Sequence, residues 1–287
     1  MTLHDRVADF FSAIARTTGR FVPRDSAMWR VLAATRARLP RRLNRGRIPA
    51  VIEAFASGYP AAFFIQVGSN DGVQLDPLRS NILYRRWSGI MIEPVPYVFG
   101  RLHQNYGHIE RVKLENIAVA DADGSLPFYY LAKADDPAGL PQWYDALGSF
   151  RKDVILSHRT VIPDIEQRLV CKPVPCLTFD SLCRKHGVGH VDLIHIDTEG
   201  YDFEVIKLID FERLKPRLLI FERKHLGEAR ATCYAYLRER GFDLIEEGLD
   251  AIALNLKDFG PRDRQLVRVW NAFRAADVAV SEQTRPA

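Results

Sequence analysis

The chain has 287 residues, of which 47% are hydrophobic and 26% are charged, and a formal net charge of +4 at pH 7. This is the composition of an ordinary globular protein, so it excludes disordered and low-complexity architectures. A chain of this length buries about three quarters of its unfolded surface, so it needs neither disulfides nor a structural metal for stability. No apolar run approaches the roughly 20 residues that span a bilayer.

The charge is distributed unevenly along the chain. Residues 1–50 contain 11 Arg, no Lys and three acids, so they carry +8 and leave −4 for the other 237 residues. We predict a basic, helical N-terminal arm over residues 1–60. Its arginines could bind phosphates, contact anionic lipid headgroups peripherally, or form a solvated helix face.

The four cysteines are too few and too irregularly spaced for a disulfide framework or a zinc site. We expect them to be small buried side chains in a reducing environment, and we expect a cytoplasmic protein without a cleaved secretory signal. They are Cys171, Cys176, Cys183 and Cys233.

From about residue 62, short β-rich runs alternate with amphipathic stretches, which is typical of a doubly wound α/β sheet. Residues 62–67 and 89–93 are predicted as the first two strands, because they are apolar almost throughout, as buried parallel strands are. Asp76 and Pro77 are predicted to open the helix between them. Further elements are predicted as a helix over 96–106 and strands over 111–120 and 126–131.

Residues 133–170 show no clear period and are predicted as an insertion over one edge of the sheet, on the substrate side. The alternation then resumes, with helices predicted over 178–186, 201–209 and 227–240 and strands over 191–196 and 217–221. Two last strands, 242–246 and 251–256, are separated by only four residues, too few for a parallel crossover, so they are predicted to form an antiparallel hairpin.

The predicted fold is therefore a doubly wound, mostly parallel, seven-stranded Rossmann-like sheet over residues 61–260, with a terminal antiparallel hairpin. Residues 261–287 are predicted as a C-terminal helix and tail. The apolar residues of this helix recur at helical spacing, so we expect it to pack on the domain or on a second subunit in a homodimer. They are Leu266, Val267, Trp270 and Phe273.

The first candidate ligand site is the turn QVGSNDG, residues 66–72, after the first buried strand. Its glycines let the backbone turn tightly and approach a ligand. Asn70 stands where the dinucleotide fingerprint G-x-G-x-x-G needs a second glycine, which disfavours a pyrophosphate and favours an amino-acid-bearing nucleoside. Glu93, at the end of the second strand, can accept both ribose hydroxyls of such a ligand.

A second group of candidates follows two later strands. Asp197 lies at a strand end on the same sheet face as His195, and Glu199 begins the next turn. Two carboxylates held close together raise one another's pKa, which is what a general base needs. Glu222 and His225 either share this crevice or form a salt-bridged surface turn, and His195 alone is more typical of a core residue.

Together these stretches resemble the FkbM family of S-adenosylmethionine-dependent methyltransferases. The likeness rests on FIQVGSNDG at 64–72, GIMIEP at 89–94 and VDLIHIDTEG at 191–200, with weaker support at 116–119 and 147–150. It covers most of the chain, and the terminal hairpin agrees with it, because such a hairpin separates methyltransferase sheets from dinucleotide-binding ones. The resemblance implies methyl transfer to a hydroxyl of a sugar, glycolipid, polyketide or similar natural product.

The resemblance also implies roles for individual residues. It implies cofactor contacts from Gln66, Gly68, Ser69, Asn70, Gly72, Glu93, Pro94, Ala118 and Asp197. It implies a reacting end formed by Asp197, Glu199, Glu222 and His225. The chain departs from the general pattern at Gln66, where methyltransferases often have an acid facing the cofactor's ammonium group, since glutamine keeps an acceptor oxygen but loses the charge.

The sulfonium is already an activated methyl donor, so the protein's task is mainly to align the acceptor and remove a proton. We hypothesise that Asp197 or Glu199 is the base or orients the acceptor hydroxyl. In an alternative, Asp197, Glu199 and Glu222 hold a divalent ion that lowers the pKa of the hydroxyl. The acceptor pocket is expected to be shaped by Trp143, Phe150 and His158.

Two functions of other classes stay open. Gln66 motivates a non-catalytic scaffold that kept the fold, and the arginines of residues 36–47 motivate an RNA methyltransferase. The arm has no interleaved aromatic residues and the rest of the chain is net negative. A small-molecule or glycan acceptor is therefore favoured over a nucleic acid.

Overall fold

The computed structural model describes residues 46–283, with side chains described as far as residue 277. Its strands are β1 Phe63–Val67, β2 Ser88–Ile92, β3 Val112–Glu115, β4 Ala118–Val119, β5 Gly124–Leu131, β6 Gly148–Ser149, β7 Leu169–Leu177, β8 Leu193–Ile196, β9 Leu218–Glu222, β10 Phe242–Glu247 and β11 Asp250–Asn255. Its α-helices are α1 Arg47–Gly58, α2 Arg79–Tyr84, α3 Pro96–Tyr106, α4 Lys152–Leu156, α5 Ile165–Arg168, α6 Phe179–Lys185, α7 Asp202–Lys207, α8 Phe211–Leu214, α9 Ala229–Glu239 and α10 Arg264–Gln283.

The main sheet has seven strands in the spatial order β10-β11-β9-β8-β1-β2-β3. β3, β2, β1, β8 and β9 pair in parallel, whereas β11 is antiparallel to both of its neighbours, β9 and β10. The predicted mostly parallel sheet and its terminal hairpin are confirmed. The structure adds that the last strand in the chain inserts between β9 and β10, so it alone is reversed.

Apolar cores cover both faces of this sheet, which explains why its strands are apolar almost throughout. Along β1, Phe64 faces one core and Ile65 the other, because successive side chains of a strand point to opposite faces. The first core contains side chains of α1, α2, α3 and α10, and the second contains side chains of α6, α7, α8 and α9. The sheet is thus wound on both sides, as predicted.

A second sheet of four strands, in the order β4-β7-β5-β6, forms from the middle of the chain. The single strand predicted over residues 111–120 is wrong, because β3 ends at Glu115 in the main sheet and β4 begins at Ala118 in the second one. β7 was not predicted at all. It pairs with β5 from Leu169 to Cys176 and with β4 only at Cys176 and Leu177.

Both ends of the described chain pack on the main sheet. Val51 and Phe55 of α1 lie fully buried in one core with Leu266 and Trp270 of α10. The predicted packing of the C-terminal helix on the domain is therefore confirmed, and the helix continues to Gln283. Residues 1–45 of the predicted basic arm and residues 284–287 of the predicted tail lie outside the described residues.

Two local predictions were wrong. α2 begins at Arg79 rather than at residues 76–77, and Asp76 instead accepts a hydrogen bond from the Leu78 N–H at 2.8 Å, ahead of the helix. Cys171 is exposed, whereas the other three cysteines are buried as expected, and all four are free. Among the residues that the structure describes, no helix combines the length and the apolar character needed to span a lipid bilayer.

Candidate functional site

A cleft of about 900 Å³, part of it open to solvent, lies at the carboxyl ends of the central strands β1, β2 and β8. This is where open α/β sheets bind their ligands. Eight of the nine residues predicted to contact a cofactor line it: Gln66, Gly68, Ser69, Asn70, Glu93, Pro94, Ala118 and Asp197. The second sheet and the insertion supply the opposite wall, with Phe128, Trp143, Ala146, Gly148 and Phe150.

The glycine turn after β1 is held close to the ends of two neighbouring strands. The N–H groups of Gly68 and Ser69 both donate to the Ile92 carbonyl at the end of β2, at 3.0 and 2.9 Å. Gly68 has a φ of +78°, and a Cβ at this position would overlap the Asp197 carbonyl oxygen. Only glycine permits this approach, which brings the turn and the end of β8 together at one side of the cleft.

Gly72 has a different role from the one predicted. Its φ is +67°, and a Cβ there would overlap the ring of Tyr106 and approach Leu102 of α3. Within residues 46–283, Gly72 is not among the residues that line the cleft. This glycine therefore lets the turn pack closely against α3.

Glu93 is 5% exposed and lines the cleft next to the glycine turn. Its carboxylate accepts hydrogen bonds from the N–H groups of Asn70 at 2.9 Å and Val95 at 2.8 Å. Burial raises its pKa to about 7 in spite of these two bonds, which favour the charged form. A carboxylate has about four acceptor positions, so two remain for the hydroxyls of a ligand.

Gln66 is buried, and its amide nitrogen is fully engaged inside the protein. Nε2 lies 3.3 Å from Asp76 Oδ1 and 3.2 Å from His195 Nδ1. Burial lowers the pKa of His195 to about 4, so the imidazole is neutral and its Nδ1 accepts. Gln66 Oε1 finds no hydrogen-bond partner in the described part of the chain. The side chain therefore presents an acceptor oxygen in a buried position of the cleft.

The carboxylates after β8 and β9 lie close enough to repel one another. Burial, together with the charge of Glu199, raises the pKa of Asp197 well above its usual range. Burial, with Glu199 and Asp197 adding to it, raises the pKa of Glu222 to about 10. Asp197 lines the cleft. Across residues 46–283, Glu199, Glu222 and His225 are not among the lining residues, so the predicted reacting end is divided between two places.

Glu199, Glu222 and His225 form a cluster of their own. His225 Nε2 lies 3.3 Å from Glu199 Oε2 and 3.9 Å from Glu222 Oε1, so Glu222 and His225 meet in a largely buried cluster beside the cleft, which is neither an exposed surface turn nor the crevice that contains Asp197. His158, from the 3₁₀ turn Ser157–Thr160 of the insertion, joins the cluster with its ring 6.1 Å from that of His225. Burial lowers the pKa of His158.

Asp202, at the start of α7, is a buried acid that the sequence reasoning missed. Its carboxylate accepts from the Thr198 hydroxyl at 3.0 Å and from the N–H groups of Gly200 and Glu222 at 3.3 and 3.2 Å. Burial raises its pKa to about 7. Asp202 thus ties the turn after β8 to the end of β9. Asp202 follows Gly200 and is the first residue of α7, and an acid just after a glycine turn at the start of a helix is the sequence feature that could have indicated it.

A mostly parallel seven-stranded sheet with one reversed strand, and with its cleft at the ends of the central strands, is the architecture of the Rossmann-like methyltransferases. The chain belongs to the FkbM methyltransferase family, since the sequence profile described as "Methyltransferase FkbM domain" matches residues 66–244. The predicted family and fold are both confirmed.

Among curated proteins, the chain is 26% identical over 151 residues to the 2-O-methyltransferase NoeI of Sinorhizobium fredii. This match covers 51% of the chain and 57% of that relative. Two solved structures are also similar. The methyltransferase FkbM of Methylobacillus flagellatus KT has 13% identity and a TM-score of 0.43 over 87% of this chain and 59% of that one. The precorrin-6y C5,15-methyltransferase of Geobacter metallireducens GS-15 has 11% identity and a TM-score of 0.36 over 71% of this chain and 87% of that one.

Proposed function

We propose that this protein is an S-adenosylmethionine-dependent O-methyltransferase that acts on a hydroxyl of a sugar, glycolipid or polyketide-type natural product. The observation that carries the proposal is the polarity of the cleft. It is lined by carboxylates and by the free oxygen of Gln66, and among the described residues no Lys or Arg lines it. Such a cleft suits a ligand that has positive charge and hydroxyl donors and carries no phosphate.

S-adenosylmethionine has these properties, because its ammonium and sulfonium groups are cationic and its ribose offers two hydroxyls. Gln66 Oε1 would accept from the ammonium group, and the two remaining acceptor positions of Glu93 would receive the ribose hydroxyls. Gly68 and Ala118 line the same cleft. A dinucleotide, in contrast, would bring a pyrophosphate into a cleft that offers it no cation.

The bound cofactor supplies a methyl group on a positively charged sulfur. In methyl transfer the acceptor oxygen forms a bond to the methyl carbon, the carbon–sulfur bond breaks, and the hydroxyl proton leaves. Asp197 lines the cleft, so its ionised carboxylate can receive that proton, and its raised pKa makes this carboxylate a stronger base. The aromatic side chains of Trp143, Phe150 and Tyr201 line the acceptor side and offer apolar faces to a sugar ring.

Transfer to an oxygen is supported by the relative from Sinorhizobium fredii, which is named a 2-O-methyltransferase. The open cleft also weighs against a non-catalytic scaffold, in which we would expect the protein's own side chains to fill the space. The basic arm that motivates an RNA substrate lies outside the described residues, and the cleft itself offers no cation to a phosphate backbone.

The test measures cofactor binding and methyl transfer separately. Calorimetry with S-adenosylhomocysteine is expected to give saturable binding at one site, with no binding of NAD⁺. Radiolabelled S-adenosylmethionine, incubated with extracts and a panel of sugars, is expected to label a neutral, base-stable ether product. Absence of saturable binding of either cofactor form would refute the proposal.

Asp197→Asn is expected to reduce turnover by about 10²- to 10⁴-fold, the usual contribution of a general base, while S-adenosylhomocysteine affinity stays within about threefold. The matched control is Asp135→Asn, an exposed acid of the insertion, for which both quantities should be unchanged. Full turnover in Asp197→Asn would remove this residue from the mechanism.

A further inference from the structure

Behind the wall of the cleft, two imidazoles and a carboxylate converge from three separate parts of the chain. His158 comes from the insertion, Glu199 from the turn after β8, and His225 from the 3₁₀ turn Lys224–Leu226 after β9. One possible ligand atom from each of these residues lies within 4.8 Å of those of the other two. This spacing brings all three atoms within reach of a single metal ion.

The converging atoms have no hydrogen-bond partners in the part of the chain that the structure describes. His158 Nε2, Glu199 Oε2 and His225 Nε2 are all buried and unpartnered, and so is Oε2 of the neighbouring Glu222, whose side chain is only 9% exposed. The 3.3 Å approach of His225 to Glu199 lacks the geometry of a hydrogen bond. Buried polar atoms are almost always paired, so three unpaired ones around one point, with a fourth on the neighbouring Glu222, indicate a missing ligand.

The charge around this point is also unbalanced. Two carboxyl groups, those of Glu199 and Glu222, lie 3.3 and 3.9 Å from the same His225 Nε2, so negative charges on both would repel one another there. A cation bound among these side chains would relieve the repulsion and supply the missing partner to each orphaned atom. Glu199 also has a φ of +50°, an unusual backbone conformation for this residue type.

We propose that His158, Glu199 and His225 bind one divalent transition-metal ion, with the Glu222 carboxyl group beside the bound ion. The two imidazoles favour zinc or a neighbouring first-row metal over Mg²⁺ and Ca²⁺, which take oxygen ligands almost exclusively. Three protein side chains leave coordination positions open, as in catalytic rather than structural metal sites. This donor set differs from the three carboxylates considered for a metal in the sequence analysis, because Asp197 points into the cleft instead.

The position of the site suggests what it acts on, and this step rests on the proposed function. Trp143 lines the cleft and its ring lies 4.9 Å from that of His158, while Thr198 and Tyr201, on either side of the Glu199 turn, also line the cleft. The ion therefore adjoins the acceptor wall. A hydroxyl of the acceptor that reached an open coordination position would have a lowered pKa and would lose its proton more easily to a neighbouring carboxylate.

The experiment measures metal binding on the full-length protein after treatment with a chelator and dialysis. Calorimetry with Zn²⁺ and visible absorption with Co²⁺ are expected to give one ion per chain, and Mg²⁺ is expected to bind much more weakly. His158→Asn and His225→Asn should each weaken Zn²⁺ binding by at least about tenfold, the lower end of the effect of disturbing a metal site. His190→Asn is the control, because His190 is half exposed and bonds only Asp192 among the contacts described for it.

S-adenosylhomocysteine affinity, measured on the same samples, checks the fold of each variant and separates the two proposals. A wild-type protein that binds S-adenosylhomocysteine but neither Zn²⁺ nor Co²⁺ would overturn the metal site and leave the methyltransferase proposal intact. Saturable metal binding without S-adenosylhomocysteine binding would support the site and refute the function. Zn²⁺ binding that is unchanged in His225→Asn, or weakened equally in His190→Asn, would overturn the assignment to this cluster.

Discussion

Gly68→Ala tests the close approach on which the geometry of the cleft depends. Gly68 has a φ of +78°, and its Cα faces the carbonyl oxygen of Asp197 so closely that an added methyl group would overlap it. The left-handed backbone costs an alanine about 1–2 kcal/mol. Forcing β8 and the turn apart costs about 1–3 kcal/mol more, the usual range for overpacking. We therefore expect the free energy of unfolding to fall by about 2–5 kcal/mol.

Gly187→Ala is the matched control for this variant. Gly187 has a φ of +64°, but nothing lies within 4 Å of the position that its Cβ would occupy. Only the backbone cost of about 1–2 kcal/mol applies there. Urea unfolding of both variants measures the difference, and calorimetry with S-adenosylhomocysteine should show at least tenfold weaker binding for Gly68→Ala alone. Equal destabilisation with unchanged binding would refute the described contact between the turn and β8.

Three further predictions follow from the cores and the cleft. Gln66→Leu removes the free acceptor oxygen, so S-adenosylmethionine affinity measured by calorimetry should fall about tenfold, as for one lost hydrogen bond, and unchanged affinity would contradict the role given to Oε1. Burial raises the pKa values of Glu93 and Asp202 to about 7, so their contribution to stability is present at low pH and is lost as the pH rises through about 7. The thermal midpoint of the cofactor-free protein should therefore fall from about pH 5 to about pH 7, where both acids are ionised in the unfolded chain and largely protonated in the folded one. His195 opposes part of this fall, because it is charged below about pH 6.5 only in the unfolded chain, and a rising midpoint would count against the burial of these acids. Trp270→Ala removes a side chain that is 2% exposed and donates to Asp243, so the free energy of unfolding measured in urea should fall by about 3–5 kcal/mol, and a loss below about 1 kcal/mol would contradict the packing of α10 on the sheet.

Most of the main sheet could be predicted because its strands are buried on both faces and therefore form short apolar runs between turn residues. The terminal hairpin could be predicted from chain length alone, since four residues cannot cross a sheet. β7 was missed because Pro173 and Pro175 interrupt it and much of it is exposed, which is unusual for a strand. It tolerates these prolines because only its last two residues pair on the β4 side.

The cofactor half of the site could be predicted because strand order dictates which loops meet at one edge of the sheet. Glu93 and Asp197 directly follow buried strands, so locating the strands in the sequence is enough to place both residues at this edge. Gly72 was predicted to contact the cofactor, because its spacing from Gly68 does not reveal that the ring of Tyr106 packs against it. His158 could be expected near the acceptor, but its meeting with His225 depends on how the insertion folds, which no local pattern encodes.

The segment between β4 and β7 leaves and rejoins the rest of the protein at one point, because the N–H of Ala120 donates to the carbonyl of Leu177 at 3.0 Å. The residues between two such adjacent junctions can differ in length and sequence while the junctions keep their positions. Residues 121–176 can therefore vary where they do not contact the rest of the molecule, as Asp145 does with Arg101 and Ser149 Oγ does with the Glu199 carbonyl. The proposed metal site limits this variation further, because any replacement segment must place an imidazole where His158 lies.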